Sequence, residues 1–204
     1  MKFAILLASM ALAILVGFNY SLNNVVASNQ AVNVGGNGTL WDSFTPKNVE
    51  IKVGEIVTWT NPMMVSEPHT VTFITDQSFF APPATPFSIS NLTELKSLSP
   101  PDQNIAPLII DQNGSKAIIV DNARHYNPVA IDSTGKNVTY LPVNANYSMV
   151  GTEKYVNSGW IWPEGLAPPG VPPIKSFSVT FEKQGTYHYI CSVHPWMAGT
   201  VKVS

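Results

Sequence analysis

The chain has 204 residues, enough for one large or two small domains with a real hydrophobic core. Hydrophobic residues make up 45% and charged ones only 12%, and 17 Pro with 13 Gly argue for a β-rich protein and against long helices. A formal net charge of −2 excludes a simple electrostatic case for binding nucleic acid.

At the amino terminus, Lys2 precedes an apolar run from Phe3 to Phe18, broken only by the polar Ser9, and an Asn-rich segment follows. That is the layout of a secretory signal, with Val25-Val26-Ala27 as a small-residue cleavage site. The alternative is a retained membrane anchor, although a helix over this run reaches only about 24 Å against a hydrocarbon core of about 30 Å. Residues 1–27 are therefore expected to be a signal peptide or anchor. The folded part is expected outside the cytoplasm, in a periplasmic or pseudoperiplasmic space or at the cell surface. The only cysteine, Cys191, cannot form an internal disulfide, and in an exported chain a solitary thiol is reactive, intermolecular or metal-bound. Asn-x-Ser/Thr triplets at Asn37, Asn91, Asn113, Asn137 and Asn146 hint at surface loops, glycosylated if the host has the machinery.

Residues 28–38, rich in Ser, Asn, Gln and Gly, read as a flexible linker, so that regular structure starts near Leu40. Val49, Ile51 and Val53 alternate, Gly54-Glu55 turns the chain, and Ile56 to Thr60 continues as a second strand. Asn61-Pro62 ends it. His69 to Ile74 alternates again and sets His69, Val71 and Phe73 on one face. A histidine opening a strand among apolar neighbours is costly unless it is hydrogen-bonded or metallated, and both readings stand at this point.

From Thr75 to about Tyr155 the pattern loosens. Ala81 to Pro86 and Pro100-Pro101 mark loop, yet Ile105–Ile110 and Ala117–Val120 are β-prone, with Asn113-Gly114 between them as a hairpin turn. His125 reads as a surface-loop histidine. No nucleophile elbow or Gly-rich phosphate loop supports a hydrolase or a nucleotide site. The Trp160 and Trp162 stretch and the Pro-rich run 168–173 read as a stiff, aromatic-rich surface loop.

Regular structure returns with Phe177, Val179 and Phe181, and Lys183-Gln184-Gly185 turns the chain into the strand that carries Cys191. Tyr187, Tyr189 and Cys191 share one face, while His188 points away. Cys191, His194 and Met197 then follow at three-residue spacing in a tight loop, with Pro195 and Gly199 suiting the turn. Taken singly, each would more often be structural filler. Together they bring one thiolate, one imidazole and one thioether to one place, lacking only a second imidazole for the His₂Cys set with a weak axial Met of an electron-transfer copper site. Short strands between Gly/Pro turns point to an all-β antiparallel sandwich.

These pieces resemble the cupredoxins, the type 1 blue copper proteins, in their plastocyanin and amicyanin branch. The resemblance rests on Val53 to Asn61, Pro68 to Phe73, Phe177 to Phe181, Gly185 to Tyr187, and Cys191-Ser192-Val193-His194-Pro195-Trp196-Met197 with Gly199 to Val201. The short His-x₂-Met spacing is similar to that of amicyanin. It implies an eight-stranded Greek-key β-sandwich over 39–204 holding one type 1 copper. His69, Cys191 and His194 would be the strong ligands, Met197 the axial one, and Thr70 a tie between the two ligand loops. The interval between His69 and Cys191 is much longer than the family needs, so an insertion is expected at about 75–155. Ile190 also stands where many plastocyanins have an aromatic residue.

The function implied is one-electron transfer, with copper cycling between Cu(I) and Cu(II) and redox proteins docking at an exposed His194 edge. The rival from another class is a copper redox enzyme acting on a small molecule such as a nitrogen oxide, which requires an open axial position. Copper storage or delivery is a third reading. No membrane contact is expected beyond an N-terminal anchor.

Overall fold

The computed structural model describes residues 28–36, 42–80, 87–91, 94–97, 105–112, 115–169 and 171–204. The expected signal or anchor lies outside these residues. The described strands are β1 (Asn29–Val34), β2 (Phe44–Thr45), β3 (Asn48–Ile51), β4 (Ile56–Thr60), β5 (Thr72–Ile74), β6 (Phe87–Asn91), β7 (Glu94–Ser97) and β8 (Ile105–Gln112). They continue with β9 (Ser115–Asn122), β10 (Pro128–Ile131), β11 (Val138–Tyr140), β12 (Asn146–Met149), β13 (Tyr155–Ser158), β14 (Ser176–Phe181), β15 (Gly185–Ile190) and β16 (Ala198–Val203). A 3₁₀ turn spans Gln77–Phe79, and a short α-helix, α1 (Ala123–Tyr126), precedes β10.

Two sheets form an all-β sandwich, one ordered β12-β14-β4-β1-β2 and the other β11-β10-β13-β5-β15-β16-β3. Alternation along β4, β14 and β16 sends Val57, Trp59, Phe177, Val179, Phe181, Val201 and Val203 into one shared core. Full burial of each such side chain contributes up to about 1.5–3 kcal/mol. Trp59, Phe73, Phe44 and Tyr189 interlock at its centre, with Phe44–Tyr189 edge to face at 4.7 Å and Trp59–Tyr189 at 5.3 Å.

The expected all-β sandwich is present, with three differences. The supposed linker is a core strand: β1 pairs with β4 in parallel and buries Val32 and Val34 completely. Only two of its side chains enter the core, so its polar composition masks a strand. Second, the sandwich is mixed and not purely antiparallel, because β1–β4, β12–β14 and β16–β3 are parallel pairs between strands distant in the chain.

Third, the interval 75–155 is not one excursion. Its later part supplies β10, β11, β12 and the start of β13 to the two sheets. β10 and β13 are buried at every position, with Ala130 and Val156 in the main core, and Val129, Ile131 and Tyr155 covered on the outside by Phe79 and Ile74. A strand covered on both faces loses the period-two signal that marks a half-exposed one. The hairpin expected around Asn113-Gly114 is present as β8 and β9, whose register closes at Gln112 opposite Ser115.

Candidate metal centre

Two segments deliver the candidate ligands to one end of the sandwich. His69 lies just before β5 and is fixed by a two-way backbone bridge, its amide donating to the Ile161 carbonyl at 3.2 Å and its carbonyl accepting from the Ile161 amide at 2.7 Å. Cys191 follows β15. The loop from Cys191 to Met197 closes on itself, with the Cys191 amide donating to the Met197 carbonyl at 3.1 Å and the Met197 amide to the His194 carbonyl at 2.8 Å. β16 starts directly afterwards, and Ala198 pairs with Ile190. Gly199 is required there, because a Cβ would overlap the ring of Tyr189.

The strands thus bring together His69, Cys191 and His194. His69 Nδ1 is 3.1 Å from His194 Nδ1, and Cys191 Sγ is 3.8 and 3.7 Å from these two nitrogens. Metal–nitrogen and metal–sulfur bonds of about 2.0 and 2.3 Å arranged trigonally would separate such donors by roughly 3.5–3.7 Å. The triangle therefore fits one first-row ion with little movement. His69 and Cys191 are fully buried. Met197 is 1% exposed and belongs to the same core cluster as Cys191.

The distal nitrogens set the tautomers. Glu67 Oε1 lies 3.0 Å from His194 Nε2, and a carboxylate can only accept, so the ring proton sits on Nε2 and the Nδ1 lone pair faces the cluster. His69 Nε2 meets the thioether of Met63 at 3.2 Å, which orients that ring in the same sense. Burial, followed by the neighbouring His194, lowers the His69 pKa to about 4, with Asp42 opposing, so this imidazole is neutral and ready to ligate at ordinary pH. Burial pushes the Cys191 thiol up, against the amides of Thr70, His194 and Val193.

Thr70 ties the two ligand segments together. Its amide donates to Cys191 Sγ at 3.3 Å and its hydroxyl accepts the Ser192 amide at 2.7 Å. That hydroxyl also meets Ser192 Oγ and Thr72 Oγ1, each at 2.9 Å, and Thr72 donates to Asn157 Oδ1 at 2.8 Å. The Asn157 amide nitrogen is spent on the carbonyls of Arg124 and His125, so only its oxygen is left to accept. The direction follows: Ser192 donates to Thr70, Thr70 to Thr72, and Thr72 to Asn157.

His188 lies on the exposed face of β15 and meets Thr200 at 3.2 Å, away from the cluster as alternation requires. His125 is not a surface histidine. It is 1% exposed and accepts from Trp160 Nε1 at 3.3 Å. Trp160 and Trp162 are likewise buried, in a cluster with Tyr126 and Val171 that touches Val193 of the ligand loop. Nor is the His194 edge open: its side chain is 16% exposed, flanked by Glu67 and by the ring of Trp196 at 5.4 Å. Sequence reasoning missed Gly35, Met63 and Glu67. Gly35, at φ +82°, lets β1 end against Met63 and His69, where a Cβ would lie 2.9 Å from His69 Nε2. The Glu67-Pro68-His69 order was a signal for the last, a carboxylate two residues from a candidate ligand.

No family model matches the chain, and no curated protein matches it. Solved structures do. A Cu(I) structure of an amicyanin variant matches at 15% identity and TM-score 0.38, covering 86% of this chain and 82% of that chain. An oxidised structure of another amicyanin variant matches at 16% and 0.38 with the same coverage. A further oxidised variant covers 89% of this chain and 87% of its own at TM-score 0.35. The similarity is to amicyanin. At such identities and TM-scores, the functional reading rests on the site's own geometry, a His-Cys-His cluster consistent with a type 1 copper site.

Proposed function

We propose that the protein is an exported electron carrier holding one copper ion through His69, Cys191 and His194, with Met197 as the weak axial ligand. The observation that carries this reading is the convergence of two imidazole Nδ1 atoms and one thiol sulfur at 3.1–3.8 Å. Copper bound there would supply a one-electron Cu(I)/Cu(II) couple, the use to which His₂Cys trigonal sites are suited. His69, locked by its bridge to Ile161, and Cys191, locked by the Thr70 amide, hold their donors in place whatever the charge at the centre. Such fixed donors keep the rearrangement on electron transfer small.

Redox proteins are the partners proposed, meeting the carrier transiently near His194, where the ring of Trp196 lies 5.4 Å away and is 66% exposed. The buried Met197, whose backbone closes the ligand loop, favours the carrier over a nitrogen-oxide enzyme with an open axial position.

Voltammetry of the copper-loaded protein, with its visible spectrum followed during nitrite addition, tests the proposal. A reversible one-electron wave and a spectrum indifferent to nitrite are expected. Catalytic current with nitrite would replace the carrier with an enzyme.

A further inference from the structure

The two candidate imidazoles are backed by unlike groups. Behind His69 stands the Met63 thioether, a weak and uncharged acceptor, 3.2 Å from Nε2. Behind His194 stands the Glu67 carboxylate, 3.0 Å from Nε2, on a side chain only 26% exposed. The Glu67 segment is itself held. Asn61 Nδ2 donates to the Glu67 carbonyl at 2.9 Å and to the Ile161 carbonyl at 3.0 Å, while Asn61 Oδ1 accepts the Met63 amide at 3.1 Å. Ser66 Oγ donates to the Leu166 carbonyl at 2.7 Å. Pro68 stiffens the step from Glu67 to His69. One segment therefore carries one ligand and orients the other.

We infer that Glu67 is a positioning residue that sets the oxidation-state preference of the metal, through its hydrogen bond to His194. This rests on the copper reading above. A carboxylate accepting from the distal N–H of a ligating imidazole fixes the ring and makes its other nitrogen a stronger donor. Stronger nitrogen donation favours Cu(II), the more highly charged ion and the more demanding of hard donors, over Cu(I). Partial shielding from solvent preserves the effect of the charge. Glu67 thus holds the couple toward the oxidised form, whereas the thioether behind His69 contributes no comparable bias.

The experiment compares the copper-loaded full chain with its Glu67→Gln and Asp42→Asn variants by midpoint potential, Cu(II) affinity and thermal melting. Asp42 belongs to the same end of the molecule, where it accepts from Trp196 Nε1 at 2.8 Å, and removing its charge controls for long-range electrostatics. Glu67→Gln is expected to weaken Cu(II) about tenfold relative to Cu(I), a rise in potential of about 59 mV, with an unchanged melting temperature in the metal-free protein. Asp42→Asn is expected to move the potential by less than half as much. An unmoved potential in Glu67→Gln, or an equal rise in both variants, would overturn the inference while leaving the copper site intact. Wild-type protein without thiolate-to-copper absorption would overturn the copper reading and this one with it.

Discussion

The amide of Thr70 donates to the sulfur of Cys191 at 3.3 Å across the gap between two segments that are far apart in the chain. The same residue's hydroxyl accepts the Ser192 amide at 2.7 Å, so one side chain and one amide align both ligand loops. Thr70→Val keeps the shape and the amide but strands the Ser192 amide and breaks the hydroxyl chain to Asn157. A loss of about 1–3 kcal/mol is expected in denaturant unfolding, together with a shift of the thiolate-to-copper band. Unchanged stability would mean that the chain contributes nothing.

Gly35 tests the role of β1. An added methyl at this position would overlap Met63 and crowd His69 Nε2, on top of the backbone strain at φ +82°. Gly54 has nearly the same φ, +84°, with nothing within 4 Å, and isolates the strain alone. Gly35→Ala is expected to lower both stability and copper affinity, exceeding Gly54→Ala by about 1–3 kcal/mol in urea unfolding. Equal effects would separate β1 from the site.

The strands that border the site were legible where one face is buried. Val57 with Trp59 and Phe177 with Val179 alternate cleanly, and the spacing of Cys191, His194 and Met197 placed these three residues in one tight loop. β1 was not legible, because only Val32 and Val34 of its residues enter the core and its partner β4 lies beyond an intervening hairpin arm. β10 and β13 were hidden by burial on both faces, which erases alternation. His125 was misread for a related reason: a four-residue helix carries too little periodicity to show which side is covered. Glu67 and Met63 act across space on ring atoms, and spacing along the chain does not encode such contacts.

The metal-free protein should lose stability in acid. The folded pKa of His69, about 4, lies below its ordinary 6.5. Between these values the unfolded chain binds a proton that the folded chain refuses, so stability rises with pH across this window. Metal-free protein is expected to lose on the order of 3 kcal/mol between pH 6.5 and 4, and a His69→Asn variant much less, by denaturant midpoints. A wild-type profile no steeper than the variant's would contradict the burial of a neutral imidazole.

Copper uptake should release a proton. Burial holds Cys191 as a thiol at neutral pH, whereas a metal takes the thiolate, and His69 has no proton to give. Calorimetry in buffers of different ionisation enthalpy is expected to show about one proton released per Cu(II) bound, with affinity rising about tenfold per pH unit while the thiol stays protonated. Zero release would show that the sulfur is not a ligand.

The most direct test is the visible spectrum of copper-loaded wild type beside Cys191→Ser. The wild type is expected to show an intense thiolate-to-copper absorption that vanishes in the variant, leaving at most the weak bands of a nitrogen and oxygen site. Wild-type protein lacking that absorption, or a serine variant that keeps it, would show that the sulfur between β15 and β16 is not what holds the metal.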